Sequence, residues 1–152
     1  MSTLKGFNVV LLICMLLLSG CTSNPDTEDD HIFIAQDHSA MVEDGEELFE
    51  MWFNNGTELE WASVVVELSM VYDDGGTSNW WICDNPSKPV TNTGGPSCSI
   101  SVPNESAKAD YWEKDEIILV SDENDLCSAD CTINIRITYD NDVLEELQLL
   151  LM

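Results

Sequence analysis

The feature that most constrains the fold is the run from Thr132 to Tyr139. There Ile133, Ile135, Ile137 and Tyr139 alternate with Thr132, Asn134, Arg136 and Thr138. Successive side chains on an extended chain point to opposite faces, so this pattern predicts a strand with one buried and one wetted face. The same alternation recurs upstream. Val64, Val66, Leu68, Met70 and Tyr72 hold every second position, and Phe49, Met51 and Phe53 alternate with Glu50 and Trp52. Shorter apolar runs at 80–83 and 98–102 predict two more strands. Residues 117–120 are apolar at every position and predict a central one.

Turn signals separate these runs. Asn55-Gly56 is a hairpin pair, and Asp73-Asp74-Gly75-Gly76 and Asp140-Asn141-Asp142 also turn the chain. Residues 143–152 close the sequence. Their Leu144, Leu147, Leu150 and Leu151 fit helical spacing too, but a hairpin return onto the preceding strand is the simpler topology. The expectation is an all-β fold: a single immunoglobulin-like β-sandwich of seven to eight strands over residues 31–152.

Residues 1–20 are different in kind. Lys5 is followed by an apolar run from Phe7 to Leu18 broken only by Asn8, and then by small Ser19 and Gly20. A charged start, a short apolar core and a small-residue processing site are the layout of a signal peptide. The run is short of the roughly 20 residues a spanning helix needs. Residues 21–30, with Asn24-Pro25-Asp26 and Glu28-Asp29-Asp30, then form an acidic tether too polar to pack.

Charge narrows the partners. The 152 residues carry 5 basic and 29 acidic side chains, a net charge of −24. Removing the leader takes Lys5 and leaves four basic against 29 acidic residues, or −25. Such a surface repels phosphates, which excludes nucleic acid as a partner. High acidity also keeps a protein soluble in a saline habitat, an explanation that needs no ligand.

Of the six cysteines, Cys14 and Cys21 lie in or at the end of the leader, and Cys83, Cys98, Cys127 and Cys131 remain. Four cysteines in an exported domain read as two disulfides. Local pairing, Cys83–Cys98 and Cys127–Cys131, is expected. The second pair requires a tight turn at Ser128-Ala129-Asp130, because four extended residues would hold the Cα atoms too far apart. A zinc site is the competing use of the same thiols, with no histidine near them.

Catalytic signatures are missing: no G-x-S-x-G, no H-E-x-x-H and no phosphate loop. A non-enzyme without a bound cofactor is expected. His31 and His38 sit beside the tether and read as bystanders. Asp122, Asp125 and Asp130 flank Cys127 and offer hard oxygen ligands for Ca²⁺, or merely a solvated turn. Asn55-Gly56-Thr57 and Asn104-Glu105-Ser106 fit the N-glycosylation pattern. Trp80 and Trp81 are strand neighbours, so one ring should enter the core. The other should either pack under its own loop or meet a sugar or protein partner.

Leu17-Leu18-Ser19-Gly20-Cys21 resembles the lipobox of prokaryotic lipoproteins. The resemblance implies cleavage before Cys21, a diacylglyceryl group on its thiol and an extracytoplasmic, membrane-anchored domain, since paired acyl chains hold a membrane stably. From Glu46 to Leu149 the order of features is similar to the β-sandwich of archaeal pilin-like surface proteins. The Asn55-Gly56 turn, Glu58-Leu59-Glu60-Trp61 before a Val-rich strand, Trp112-Glu113-Lys114-Asp115-Glu116 before an apolar strand, and a long strand ending in Tyr139-Asp140 carry that likeness. Pilins assemble through a long apolar helix, whereas the apolar stretch here stops at Ser19. The expected role is therefore non-enzymatic binding or scaffolding at the cell surface, with an unknown surface protein or glycan as partner. The alternatives are an accessory solute-, glycan- or Ca²⁺-binding domain, and a pilin-like surface subunit.

Overall fold

The structure, a computed structural model, describes residues 30–38, 47–89, 97–103, 108–122 and 130–152. Among them are ten strands and no helix. In chain order they are β1 (Phe33–Asp37), β2 (Glu47–Phe53), β3 (Leu59–Glu60), β4 (Val64–Val71), β5 (Trp81–Ile82), β6 (Cys98–Ser101), β7 (Tyr111–Trp112), β8 (Ile118–Asp122), β9 (Cys131–Tyr139) and β10 (Asp142–Leu151). Eight of them form two four-stranded sheets, ordered β1-β2-β8-β6 and β10-β9-β4-β5. Every strand pairing within these sheets is antiparallel. The remaining two make a short ribbon, β3-β7.

The two sheets close on one core, as expected of a β-sandwich. Phe49, Met51, Ile100, Ile118 and Val120 come from the first sheet. Val64, Val66, Leu68, Ile133, Ile135 and Ile137 come from the second, and all are buried in a single cluster. Each inner residue falls on the apolar phase of its strand, which is why the alternation located this core. Strand β8 lies between β2 and β6, a central position. Its run of apolar residues alternates nonetheless: Ile118 and Val120 are fully buried, while Ile117 just before it is 41% exposed.

Residues 142–151 are strand, hairpinned onto β9. Asp142 pairs with Tyr139, leaving Asp140 and Asn141 as a two-residue loop with φ of 50° and 73°. Positive φ at both central residues is the turn that matches strand twist, and Asp and Asn tolerate it. Leu147, Leu149 and Leu151 then pair with Ile135, Ile133 and Cys131. Leu147 and Leu149 pack against the core, which Leu151 joins, and the helical spacing of the leucines is not used.

The Asn55-Gly56 turn behaves otherwise than expected. It is not a hairpin: β2 pairs with β1 and β8, whereas β3 pairs with β7. Turn chemistry specifies a local bend, not which strand the chain meets next, and here the bend carries it out of the first sheet. Gly56 is required on two counts. Its φ is +99°, and a Cβ there would stand 2.5 Å from His31 Cδ2.

A second crossing joins the sheets covalently. Cys83, just after β5 of one sheet, is disulfide-bonded to Cys98 in β6 of the other, with Cα atoms 4.5 Å apart. Asp84 N–H donates to Cys98 O (2.8 Å) and Asp84 O accepts from Ile100 N–H (2.7 Å), so the chain leaves one sheet and docks directly on the second. The closed loop spans a sequence separation of 15, for which chain entropy predicts about 3 kcal/mol of stabilisation.

Candidate functional site

Beside that crossing lies a cleft of about 360 Å³. Three segments wall it: Pro86 and Ser87, the end of β6 with Ile100, Ser101 and Val102, and the approach to β7 with Lys108, Asp110 and Tyr111; Trp61 and Glu116 complete the lining.

Each wall is fixed from behind. Asn85 is buried, and its side chain makes four hydrogen bonds. Nδ2 donates to Trp61 O (3.0 Å) and Val64 O (2.9 Å), while Oδ1 accepts from Ser87 N–H (3.0 Å) and Lys88 N–H (2.6 Å). That is the full complement of a side-chain amide, and it locks the 84–89 loop onto the turn before β4. On the far wall Lys108 is ion-paired to Glu58, its ammonium 5.7 Å from the Tyr111 ring centroid. The hydrogen bond to Glu58 is the main reason the Lys108 pKa lies above its ordinary 10.5. Trp61 N–H donates to Asp110 O (2.9 Å). Trp112 Nε1–H donates to Glu116 O (3.0 Å) and Glu116 Oε2 accepts from Glu113 N–H (3.0 Å). Glu116 Oε1 is sheltered from solvent and has no hydrogen-bond partner among the described residues.

Under the cleft runs a column of rings. Trp61 stacks on Trp112, centroids 5.3 Å apart and planes 7° from parallel. Trp112 meets Phe53 edge-on at 5.2 Å and Phe33 at 5.5 Å. His31 caps the column, 5.2 Å from Phe53 and 5.9 Å from Phe33. Its Nε2–H donates to Thr57 O (2.8 Å), since a carbonyl can only accept. His31 is thus a structural residue and not a bystander. The sequence alone hid this, because the contact depends on Gly56 having no side chain.

A second region is the outer face of the β10-β9-β4-β5 sheet. One row across it is Ile82, Glu67, Arg136 and Glu146. Arg136 Nε–H donates to Glu146 Oε1 (2.6 Å), Nη1 lies 3.6 Å from Glu67, and the guanidinium stands 4.0 Å over the Trp80 ring. The Glu146 hydrogen bond chiefly, and Glu67 next, raise the Arg136 pKa above its ordinary value. The adjoining rows, Ser69–Asn134–Gln148 and Val71–Thr132–Leu150, carry no charge at all. On a chain at −24 this face is close to neutral. Trp81 packs against the core, as one of the two neighbouring rings was expected to, while Trp80 lies under Arg136.

The other expected site residues are dispersed. Cys131 is disulfide-bonded, and Cys127, the partner expected for it, lies outside the described residues, as do Cys21, Asn104 and Asp125. Asp122 ends β8 with only 4% exposure, and Asp130 is exposed just before β9. Among the described residues no three His, Cys, Asp or Glu side chains converge as a metal site. Asn55 is exposed, and its Nδ2, where a glycan would attach, donates to Asp30 O (2.7 Å). His38 lies 3.5 Å from Glu47. Neither the cleft nor Asn85 was foreseen. The one available signal was Asn85-Pro86-Ser87, a combination that initiates turns through the Asn side chain. No family model matches this chain, no curated protein matches it, and no solved structure matches it.

Proposed function

We propose that the chain is an extracytoplasmic lipoprotein, held to a membrane by a lipid on Cys21. Its immunoglobulin-like sandwich acts as a non-enzymatic binding or scaffold domain at the cell surface. The observation that carries the binding role is the near-neutral outer face of the β10-β9-β4-β5 sheet. A surface that mixes Trp80, Ile82 and Leu150 with uncharged polar residues and one ionic row, in which Arg136 is paired to two carboxylates, loses little when water is removed from it. The anchor rests on the five residues ending at Cys21, and a disulfide between Cys83 and Cys98 suits an oxidising compartment. The strand order β1-β2-β8-β6 over β10-β9-β4-β5 supports the immunoglobulin-like assignment.

Replacing Cys21 with Ser should release the protein from membranes or stop its processing. A Cys21→Ser protein that still partitions with membranes at the mature size would remove the anchor. For the face, a photo-crosslinker at Gln148 should capture a surface partner in native membranes. The same group at Gln36, on the outer side of the other sheet, should not. Equal capture from both positions would remove the face.

The cleft favours a second reading, an accessory domain for a small polar solute. Its volume falls within the range of about 300–1,000 Å³ common for ligand pockets, and it combines aromatic walls with a few placed polar groups.

A further inference from the structure

We infer that the cleft beside the Cys83–Cys98 crossing binds a neutral saccharide unit, with Glu116 as its principal acceptor; this rests on reading the cleft as a small-solute site.

Preorganisation is the first argument. The disulfide and the Asp84 backbone bonds hold β6, the Asn85 amide holds Ser87, and the Lys108–Glu58 pair holds the opposite wall. A site that is already rigid loses little freedom on binding. The second argument is Glu116. Its Oε2 is satisfied by Glu113 N–H, but its sheltered Oε1 has no donor among the described residues. A buried acceptor without a donor is costly, and nearly all such atoms in proteins have one. The terminal torsion of a glutamate is soft, so a ligand hydroxyl in the cleft can draw Oε1 into a hydrogen bond.

The class of ligand follows from the rest of the lining. Lys108 is already balanced by Glu58, so an anion finds no uncompensated charge there, and the whole chain at −24 repels it. A cation is drawn to carboxylates everywhere on such a surface, and Tyr111, beside Ser87 and Ser101 in the lining, already carries the Lys108 ammonium over its ring. A sugar ring uses all of them. Its hydroxyls pair with Glu116, Asp110 and the two serines, and its apolar C–H face lies against Tyr111.

The test is saturation-transfer NMR on the intact protein with methyl α-glucoside, methyl α-mannoside and methyl β-galactoside as probes. A mixture of free amino acids and spermidine is run beside them. The variants are Glu116→Gln and Ser101→Trp, the latter filling the cleft from an exposed position, each checked for an unchanged unfolding midpoint. At least one glycoside should bind, weaken roughly 10-fold or more in Glu116→Gln, the worth of one hydrogen bond to a charged group, and vanish in Ser101→Trp. Glycoside binding that both variants leave intact would overturn the assignment. If only amino acids or spermidine bind, and Ser101→Trp abolishes that, the saccharide is wrong while the small-solute reading stands. If no probe binds at all, both fall.

Discussion

The aromatic column under the cleft and the outer face of the β10-β9-β4-β5 sheet both use tryptophan, but to opposite effect. In the column, Trp61 and Trp112 are at most 1% exposed and stacked, and the Trp61 N–H and Trp112 Nε1–H are hydrogen-bonded into the frame. On the face, Trp80 lies half-buried beneath the guanidinium of Arg136, which is itself shared between a half-buried carboxylate, Glu67, and an exposed one, Glu146. The first arrangement is a rigid support whose energy comes from close packing. The second is a solvent-screened surface whose energy is small and whose composition is free to serve recognition. Residue type does not distinguish them; neighbours three strands or 50 residues away do.

The sharpest way to break this contrast is to delete one ring from each region. Trp112→Ala removes contacts with Trp61, Phe53 and Phe33 and should cost roughly 3–5 kcal/mol in denaturant unfolding. Trp80→Ala should cost under about 1 kcal/mol, as surface changes do. Comparable losses would mean that the outer face is part of the structural core.

Asparagine provides the next comparison. Asn85→Ala removes the side-chain hydrogen bonds to the Trp61 and Val64 carbonyls and from the Ser87 and Lys88 N–H groups, a cost of about 2–4 kcal/mol. Asn134→Ala loses one exposed contact with Gln148 and should cost under about 1 kcal/mol. If the saccharide assignment is right, Asn85→Ala should also weaken glycoside binding, because Ser87 loses its support.

These pairs also mark how far the sequence could be read. Alternation at Ile133, Ile135 and Ile137 was enough to place β9 and its inner face, because a period of two has one structural meaning. Asp140-Asn141 was enough to close the β9–β10 hairpin, because the two strands are adjacent in sequence. Asn55-Gly56 is an equally strong turn signal, yet the next strand pairs with β7, about 50 residues further on. The cleft was invisible for the same reason. Its walls come from residues near 61, 86, 101, 110 and 116, and no local pattern encodes their meeting. His31 needed the same long-range information.

Gly56 tests that last contact. Gly56→Ala combines a left-handed backbone, worth about 1–2 kcal/mol for a residue with a Cβ, with a collision against His31. His31→Ala alone should also destabilise, through lost ring contacts and the Thr57 hydrogen bond. In the double variant the collision is gone, so the two losses should sum to more than the measured total. Strict additivity would show that the ring moves aside freely and that His31 does not brace the turn.

The smallest expected effect concerns Arg136, and it separates charge from stacking on the outer face. Its pKa is raised further above its ordinary value by Glu146 and Glu67, so the group stays charged throughout the range in which the fold is measured. Any contribution from that shift is therefore fully present at every pH below the ordinary arginine pKa and would fade only above it. What can vary at neutral pH is screening. Arg136→Gln leaves Glu67 and Glu146 without the cation between them, so the unfolding midpoint should fall slightly at low ionic strength. The loss should disappear near 1 M NaCl, where charges are screened beyond about 3 Å. Arg136→Lys keeps the charge but not the planar group over Trp80, and it should match the wild type at both salt concentrations if charge is the whole effect. A deficit in Arg136→Lys that persists at 1 M NaCl would instead assign the interaction to stacking, and would make Trp80 and Arg136 a packed unit of the face rather than a screened ion pair above a half-buried ring.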